Sequence, residues 1–487
     1  MGNLAVENPW YAVSTHSYGQ QNKEKGCILV INVGEFLDQN VGFRFNLPEH
    51  LSAYQHAPFL IQRFDRFNQW HASTDKSVTN QNWFTDELFD RCESLIGILA
   101  YSDSFTCEAS KDKLLEQYAK LDLISKSDLR EDSKKFINSC MDHDNLWWKE
   151  TSGTTGPPVR IWYSPEFHFE FTLYGVCKVA SLAGAFSDTV RTSPVFCVSL
   201  TDNQNCTEQI WLPPDGSRGL SVQFVIDVNN LDSFEKVMIF LDTYNPPIMA
   251  MKPCVLEAFI QFASYGLRDI NLTDTLLVSS GSDLRYELRS NAEKSLGCFV
   301  TNAYGQTEFG IVAAECSERE GMHIFEDQVA ASILDDQGNV LEEGNGQLVL
   351  SSVSNLAMPL LKYNTGDIVT LDSKPCSCGI PGKRIINLSG RFLRNYTKID
   401  GSLLSPAIFN RLFDKFPVRE FQMNQEKEGS IRCEVEFNNN TVDKRQLLSS
   451  LDLYLSTLAG SGMVVKVYET QFDHTNKFER YRSVLWQ

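Results

Sequence analysis

The 487-residue sequence lacks any apolar run that approaches the roughly 20 residues needed to cross a bilayer. Its opening residues, Met1 to Trp10, are short of the basic and apolar residues of a secretory leader. Basic residues are also in deficit, since 44 lysines and arginines face 62 aspartates and glutamates, for a formal net charge of -18. Proteins that grip a nucleic-acid backbone need the opposite balance. We therefore expect neither a membrane protein nor a nucleic-acid binder, although one nucleotide in a pocket stays compatible with this charge.

Paired cysteines are missing as well, because the 13 cysteines are odd in number and scattered along the chain. This is not the pattern of a disulfide framework, so we expect mostly free thiols and a cytoplasmic protein. Hydrophobic residues make up 42% of the chain and charged residues 22%, as in ordinary globular proteins. A chain of this length predicts two or three domains.

The hydrophobic pattern predicts alternating strands and helices between Val159 and Ala303, which is typical of an α/β architecture with largely parallel strands. The predicted helices include Asp86–Tyr101, Ser125–Phe136 with Ser127 as its cap, Glu166–Phe186, Leu231–Thr243 and Arg285–Leu296. After about residue 310, short strands such as Asp367–Leu371 alternate with tight turns. This second texture predicts a β-rich subdomain.

These patterns divide the chain into three parts. Residues 111–390 are expected to form a large domain of α/β layers, with the β-rich subdomain at about 311–390. Residues 391–487 predict a small α+β domain, with a hairpin around Glu426 to Gly429 and a leucine-faced helix that ends near Leu458. Residues 1–110 are rich in aromatic side chains and have no assigned role.

The run from Thr151 to Pro158, which reads TSGTTGPP, concentrates hydroxyls and glycines in one short segment. Glycines let a backbone approach a ligand closely, and hydroxyls and N–H groups can hydrogen-bond phosphate oxygens. The run is not a Walker loop, because no Gly-Lys-Ser/Thr follows at the required spacing. By itself, the segment is equally compatible with a Ser/Thr-rich surface loop.

Four further segments carry residues with matching chemistry. Tyr304 to Glu308 follows a predicted strand and offers a ring for a base, a hydroxyl for a phosphate and a carboxylate for Mg²⁺. Tyr363 to Asp367 places a carboxylate after a tight turn, which suits a ribose diol. Arg391 supplies a forked cation and Lys477 an ammonium group near the C-terminus. Each has a simpler interpretation as a turn or surface residue, and their common order along one chain favours a joint site.

With these motifs, the sequence resembles the adenylate-forming (acyl-activating) superfamily, and within it the phenylacetate–CoA ligase-like branch. The resemblance covers about residues 115–487 and is most specific between Gly321 and Pro406. The segments that carry it there are GMHIFED at 321–327, PLLKYNTGD at 359–367 and CSCG at 376–379. The fold it implies is the adenylate-forming enzyme fold, with a small mobile C-terminal domain after the large one.

The resemblance implies a role for each matching residue. Phosphate contacts are implied for Thr151, Ser152, Gly153, Thr154, Thr155 and Gly156. The adenine is expected between Ser280, Gly281, Ser282 and the strand end formed by Asn302, Ala303, Tyr304 and Gly305. Asp367 and Arg391 would hold the ribose, and Glu308 beside Thr307 would coordinate Mg²⁺. Lys477 would reach the α-phosphate and the substrate carboxylate.

The sequence departs from the family at three points. Pro157 stands where the phosphate loop usually has a lysine, and Phe392 to Asn395 replace the paired acids usual after the arginine. Asn476 precedes Lys477, where a glycine is usual. The residues of the adenylation step are therefore better matched than those that set up transfer to CoA.

Cys316, His323, Cys376 and Cys378 form a second constellation, in the predicted β-rich subdomain. A Cys-x6-His pair together with a Cys-x-Cys turn offers four ligands for a closed, structural Zn²⁺ site. The alternative is four residues without a metal, since a lone Cys-x-Cys is weak evidence.

The expected activity is ATP-dependent activation of a small carboxylic acid to an acyl-adenylate, followed by transfer to a thiol of CoA or of a carrier protein. Phe171, Tyr174 and Phe196 are candidate liners of a pocket for an aryl or other apolar acid, with core packing as the alternative. Two further hypotheses remain open. An amide synthetase would pass the acyl group to an amine, and a non-catalytic relative would only bind nucleotide.

Overall fold

The computed structural model describes the chain from Trp83 to Val484, apart from short internal stretches. These stretches are 107–109, 142–145, 152–158, 165–166, 168–173, 186–192, 194, 203–208, 212–219, 229, 265–269, 271, 392–395, 400, 405–408, 410–412, 414–415, 438–442, 461 and 473–480. The predicted site residues 152–156, Phe171 and Lys477 lie outside the described residues, as do most of the N-terminal aromatics.

In the described part of the chain, four α-helices precede the main sheet. They are α1 (Trp83–Asp90), α2 (Cys92–Ile96), α3 (Lys111–Ala119) and α4 (Lys126–Asp132). The prediction of a single helix from Asp86 to Tyr101 is wrong, because a turn at Arg91 interrupts the helix and separates α1 from α2. Ser125 rather than Ser127 caps α4, through a reciprocal capping box with Asp128. Leu88, Leu95 and Tyr101 are buried in the same core as the β-rich strands, so packing continues N-terminal to residue 111.

A two-stranded hairpin precedes the main sheet. It consists of β1 (Trp147–Glu150) and β2 (Arg160–Tyr163), paired antiparallel. Of the helix predicted at Glu166–Phe186, the structure describes α5 (Gly175–Leu182), which has Ala183 as its C-cap and so ends earlier than predicted. Seven of its eight residues are buried, because the helix lies against a strand of the main sheet.

The main sheet has thirteen strands, and its first half is largely parallel. Its strands are β3 (Val195–Thr201), β4 (Gln209–Trp211), β5 (Leu220–Val225), β6 (Ile248–Met251), β7 (Leu276–Ser280) and β8 (Phe299–Gln306). Strands β5, β3, β6, β7 and β8 run parallel in that order. Among the residues that the structure describes, the helices α6 (Glu235–Thr243), α7 (Pro253–Ser264) and α8 (Tyr286–Leu296) connect β5 to β6, β6 to β7 and β7 to β8. This confirms the predicted α/β alternation.

The antiparallel half continues the same sheet. Its strands are β9 (Gly310–Glu315), β10 (Met322–Ile324), β11 (Ala330–Leu334), β12 (Val340–Leu341), β13 (Gly344–Ser352), β14 (Leu360–Asp372) and β15 (Arg384–Arg391). They extend from β8 in the order β9, β10, β15, β14, β13, β11, β12. The strand predicted at Asp367–Leu371 is part of the 13-residue β14, since its polar residues pair along the ladder as well as its apolar ones.

The described residues of the C-terminal part form a separate four-stranded sheet and the helix α9. Its elements are β18 (Val418–Gln425), β19 (Ile431–Phe437), α9 (Lys444–Ala459), β20 (Val465–Glu469) and β21 (Tyr481–Ser483), after the short pair β16 (Tyr396–Thr397) and β17 (Leu403–Leu404). The predicted hairpin around residues 426–429 is confirmed between β18 and β19. Arg419 pairs with Glu257 of α7 at 3.6 Å, so this unit contacts the large sheet's helices. Within the described ranges, no helix is long and apolar enough to cross a membrane.

Candidate active site

The hairpin β1–β2 holds the ends of the hydroxyl-rich loop together. Thr151 donates its backbone N–H to Val159 O at 2.9 Å and accepts the Val159 N–H on its Oγ1 at 3.0 Å. Thr151 is 3% exposed, so its hydroxyl fixes the base of the loop. The two strands that flank residues 152–158 in the chain are thus paired up to their adjoining ends.

Tyr163, at the end of β2, joins this hairpin to the end of β8. Its hydroxyl donates to the backbone carbonyl of Thr307, and its ring is fully buried. Asn355 ties the same strand end to the sheet, since its side chain donates to Trp162 O at 2.7 Å and accepts from Ser164 N at 3.2 Å. The hydroxyl-rich loop and the segment around Glu308 thus emerge from elements that are bonded to each other.

Three polar side chains form a closed hydrogen-bonded group at the end of β8. Tyr304 donates its hydroxyl to Asp367 Oδ2 at 2.6 Å. Gln306 Nε2 donates to that same oxygen at 2.7 Å and to the Tyr304 hydroxyl at 2.6 Å. Burial, reinforced by the Asp367 carboxylate, raises the pKa of Tyr304 well above its usual value, so its O–H remains a donor. The group fixes the orientation of the Asp367 carboxylate.

Glu308 is buried in the turn that directly follows β8. It is 7% exposed, and its Oε1 accepts a hydrogen bond from the Tyr363 hydroxyl at 2.9 Å. Tyr363 is itself 1% exposed, which fixes that donor in place. A carboxylate has about four lone-pair positions, so one such bond leaves capacity for a cation.

Asp367 and Arg391 face each other across neighbouring strands. They are directly opposed in the antiparallel β14–β15 ladder, and the side chain of Arg391 lies outside the described part. Gly366, with φ of +74°, and the side chains of Asn364 and Thr365 shape the β14 backbone just before Asp367. The sequence motif from Tyr363 to Asp367 is thus an irregularity within a long strand.

The residues predicted to frame adenine lie at the carboxyl ends of two adjacent parallel strands. Ser279 is opposite Asn302, and Ser280 is opposite Ala303, in the β7–β8 ladder. Gly281 has φ of +86°, a conformation that other residues rarely adopt. Gly305 must also be glycine, because a Cβ there would lie 2.7 Å from Gly310 O. Ligands of open α/β sheets bind at such strand ends.

The two described candidates for the acid pocket are buried near each other. Tyr174 and Phe196 share one apolar cluster and are 4% and 0% exposed. The Tyr174 hydroxyl donates to Asp327 Oδ2 at 2.6 Å, and Lys178, one turn along α5, pairs with the same carboxylate. This ion pair, with a buried lysine beside the ring of Phe325 and a more exposed carboxylate, was not predicted from the sequence.

Cys316, His323, Cys376 and Cys378 come together at the ends of β9, β10 and the turn before β15. Their ligand atoms all lie within 4.8 Å of one another. The Cys316 and Cys376 sulfurs are 3.7 Å apart, and Cys378 Sγ lies 3.4 Å from His323 Nε2. Zn–S bonds of about 2.3 Å in a tetrahedron place two sulfurs about 3.8 Å apart. The donor set and its spacing therefore fit a tetrahedral ion.

Burial, with Arg384 nearby, lowers the pKa of His323 to about 4, so the imidazole is neutral at pH 7 and able to ligate. Glu320 supports the same turn, since it accepts from Ser377 N at 3.1 Å and from the Cys376 thiol at 3.6 Å. The buried Arg384 side chain donates to the backbone of Glu320 at 2.6 Å and of Lys374 at 2.9 Å. These contacts hold the two halves of the cluster together.

Comparison with solved structures identifies the fold as that of the adenylate-forming ligases. The chain superposes on 2-hydroxyisobutyryl-CoA ligase in its postadenylation state, bound to an acyl-AMP, with a TM-score of 0.63. The superposition covers 82% of this chain and 88% of that one, at 14% identity. The thioesterification state of that enzyme superposes with a TM-score of 0.54 and 15% identity.

Among curated proteins, the chain is similar to phenylacetate–coenzyme A ligases, which confirms the resemblance inferred from its motifs. It is 31% identical to the Thermus thermophilus enzyme over 163 residues, 32% of this chain and 37% of that protein. It is 26% identical to the Pseudomonas putida enzyme over 306 residues, 60% of this chain and 63% of that protein. The matched stretches thus span less than two thirds of these relatives. No family model matches the chain.

Several functional contacts were not predicted from the sequence. Gln306 and Tyr363 lie inside the recognised motifs, so their polar groups were a signal that could have been used. Tyr163 and Asn355 gave no such signal, because they act from 144 and 193 residues away in the chain. Such partners are visible only once the strands are assembled.

Proposed function

We propose that this protein activates a carboxylic acid with ATP to give an acyl-adenylate and pyrophosphate, and then transfers the acyl group to the thiol of CoA. The observation that carries the proposal is the convergence of Tyr304, Glu308 and Asp367 beside the hairpin of the hydroxyl-rich loop. The names of the curated relatives and the fold of acyl-AMP-binding ligases support the same activity.

In the first step, a carboxylate oxygen of the acid attacks the α-phosphorus of ATP, and pyrophosphate leaves. In the second, the CoA thiolate attacks the acyl carbonyl, and AMP leaves with the electron pair of the broken C–O bond. Two anions must meet in the first step, so the site has to offset their repulsion. Oriented donors placed where charge develops achieve this and can each contribute about 100- to 1000-fold in rate.

Glu308 fits the role of the Mg²⁺ ligand, because Tyr363 orients a buried carboxylate and hard oxygen donors suit this ion. When bound, Mg²⁺ would neutralise charge on the phosphate oxygens. Asp367, oriented by Tyr304 and Gln306, would accept hydrogen bonds from the ribose diol with Arg391 of the facing strand alongside. Ser280 to Ser282 and Asn302 to Gly305 would enclose the adenine.

The remaining assignments concern residues outside the described part. Ser152, Gly153, Thr154, Thr155 and Gly156 would bind the phosphates, with Thr151 holding the base of their loop. Lys477, from the C-terminal domain at 391–487, would contact the α-phosphate and the reacting carboxylate. Because Pro157 replaces a lysine, Thr154 and Thr155 should matter more here than in relatives that have the lysine.

We also propose a structural Zn²⁺ ion between Cys316, His323, Cys376 and Cys378. The support is the fit of three sulfurs and one neutral imidazole, all within 4.8 Å, to tetrahedral geometry. Four protein ligands leave no open position for substrate. The ion would therefore join β9 and β10 to the turn before β15 and take no part in the chemistry.

The activity is tested by incubating the full chain with ATP, Mg²⁺ and a panel of aryl and aliphatic acids, while pyrophosphate release is measured with and without CoA. Acid-dependent release together with a CoA-dependent thioester is the expected result. Release without a CoA product would replace CoA by an amine or a carrier protein as acceptor. Absence of pyrophosphate release and of ATP–pyrophosphate exchange with every acid would overturn the proposal in favour of a nucleotide-binding role alone.

A further inference from the structure

Two charged residues that the sequence motifs did not include lie at the same edge of the sheet as the candidate nucleotide site. Asp202 directly follows β3, and Lys252 directly follows β6. These strands are parallel neighbours, with Leu200 opposite Met251, and Met251 is opposite Ser279 of β7. Both residues therefore extend the row of strand ends that continues to Ser280 and Ala303.

Asp202 and Lys252 form an ion pair whose two side chains differ in solvent exposure. Lys252 Nζ lies 2.7 Å from Asp202 Oδ1, and Cys254 Sγ lies 3.4 Å from Asp202 Oδ2. The Asp202 side chain is 18% exposed and that of Lys252 is 42% exposed. Each carboxylate oxygen thus has a donor, while the lysine is the more exposed member of the pair.

Lys252 is also in contact with the predicted adenine loop. A Cβ placed on Gly281 would lie 3.5 Å from Lys252 Cγ and 3.9 Å from its Cδ and Cε. The aliphatic stem of the lysine therefore covers one side of this glycine. Lys252 therefore lies on the β6 side of the loop, whereas Glu308 and the phosphate-loop hairpin lie on its β8 side.

We propose that Lys252, held by Asp202, is a specificity-determining residue, and that the preferred acid carries a second anionic oxygen group, a carboxylate, at the end remote from the reacting one. This inference rests on the proposed function, because it concerns the acid of that reaction. The sequence predicted an aryl or other apolar acid. The inference replaces this by an acid that has an apolar body and a second, charged end.

The chemistry of the pair supports this choice. An ammonium group has three donors, and Asp202 takes one of them among the contacts made by described residues. The phosphates of ATP are assigned to the opposite side of the loop, so the anion met by Lys252 belongs to another part of the bound molecules. A charge-assisted bond of this kind discriminates by roughly 10- to 100-fold against an acid that lacks the anion.

The test compares phenylacetate with 4-carboxyphenylacetate, which adds one carboxylate to the same ring. The readout is the ratio of their KM values in pyrophosphate release by the full chain. Wild type should favour 4-carboxyphenylacetate, and Lys252→Met should reduce this preference by roughly 10- to 100-fold. Asp202→Asn should increase it by about threefold to tenfold, since the lysine then keeps its full charge for the substrate.

The opposite signs distinguish this role from a structural ion pair, whose two variants would change both acids alike. Lys444→Met is the matched control, because Lys444 pairs with Glu469 at 2.6 Å on the C-terminal unit with similar exposure. An equal ratio in wild type and Lys252→Met overturns the inference, and a change confined to the KM of CoA assigns Lys252 to a CoA phosphate instead.

If no acid supports pyrophosphate release, the proposed function fails. Titration calorimetry with the two acids then decides the inference, which requires tighter binding of 4-carboxyphenylacetate through Lys252.

Discussion

The oxygen-rich group at the end of β8 and the sulfur-rich cluster between β9 and β15 lie on the same sheet and differ in what surrounds their donors. In the first, Tyr304, Gln306 and Tyr363 orient two carboxylates, those of Asp367 and Glu308. In the second, three thiols and one imidazole converge on a single point.

The difference indicates what each region can bind. Oriented carboxylates at strand ends retain capacity for a diol or a hydrated cation, so they suit substrates that come and go. Four mutually close soft ligands complete the coordination of one ion and leave no position for substrate. One region is therefore expected to affect turnover, and the other the stability of the fold.

The largest expected effect is that of Glu308→Gln. Removing the carboxylate charge at the proposed Mg²⁺ position should lower acid-dependent ATP–pyrophosphate exchange by about 100- to 1000-fold. Thermal unfolding should change little, because the amide can still accept from Tyr363. Glu235→Gln, on an exposed position of α6, is the control and should retain full exchange. Near-normal exchange in Glu308→Gln would remove the metal assignment.

Cys376→Ser should do the opposite, lowering the stability of the fold and leaving turnover nearly unchanged. We expect the purified variant to lose its zinc and about 3 kcal/mol of stability, since metal binding and folding are coupled. Metal analysis and urea unfolding measure these changes, while turnover at low temperature should stay close to wild type. Cys298→Ser matches it in burial, at 4% against 5% exposed, and should keep its zinc. A wild-type protein purified without zinc would contradict the proposed centre.

Tyr304→Phe should have a smaller effect on activity than Glu308→Gln, because it removes one hydrogen bond of the oxygen-rich group and no charge. It removes the hydroxyl that donates to Asp367 Oδ2, a bond worth about 1 kcal/mol, so the KM for ATP should rise about fivefold. The KM for the acid should change less, because the bond orients a ribose contact. Tyr286→Phe, at a position that is 77% exposed, should change neither value. An equal rise in both KM values would assign Tyr304 to general packing.

The smallest expected effect is on the stability of the fold at acidic pH. Burial raises the pKa of Asp202, but the hydrogen bond and the charge of Lys252, together with the bond from Cys254, outweigh burial, so the pKa lies below its ordinary value. The ion pair therefore stabilises the fold above the unfolded-state pKa of about 3.9 and loses that contribution as pH falls through the lower folded value. Asp202→Asn should flatten this acid limb by about 0.5 kcal/mol or less in urea unfolding at pH 2 to 5. An unchanged limb would show that the pair adds no stability.

The sequence predicted much of the fold because hydrophobic periodicity marks buried strands and helices. The hairpin at 426–429 and the α/β alternation are examples, as is α8, predicted as Arg285–Leu296 and found as Tyr286–Leu296. The failures share one cause, which is that backbone bonding competes with local pattern. Ser125 rather than Ser127 caps α4 because its side chain and backbone both bond Asp128. β14 extends over 13 residues because its polar residues pair with strands on both sides.

Residue types and their order along the chain were sufficient to infer the fold family and to select Glu308, Asp367 and the four cysteine and histidine residues of the proposed zinc centre. These choices rest on chemistry carried by short motifs, which a sequence contains in full. Contacts between distant segments needed the assembled sheet. Tyr163, in the separate β1–β2 hairpin, reaches Thr307 across 144 residues, and only the packing of this hairpin on the sheet brings them together. Lys252 reaches Asp202 across 50 residues, because the parallel strands β6 and β3 bring their carboxyl ends to one edge of the sheet.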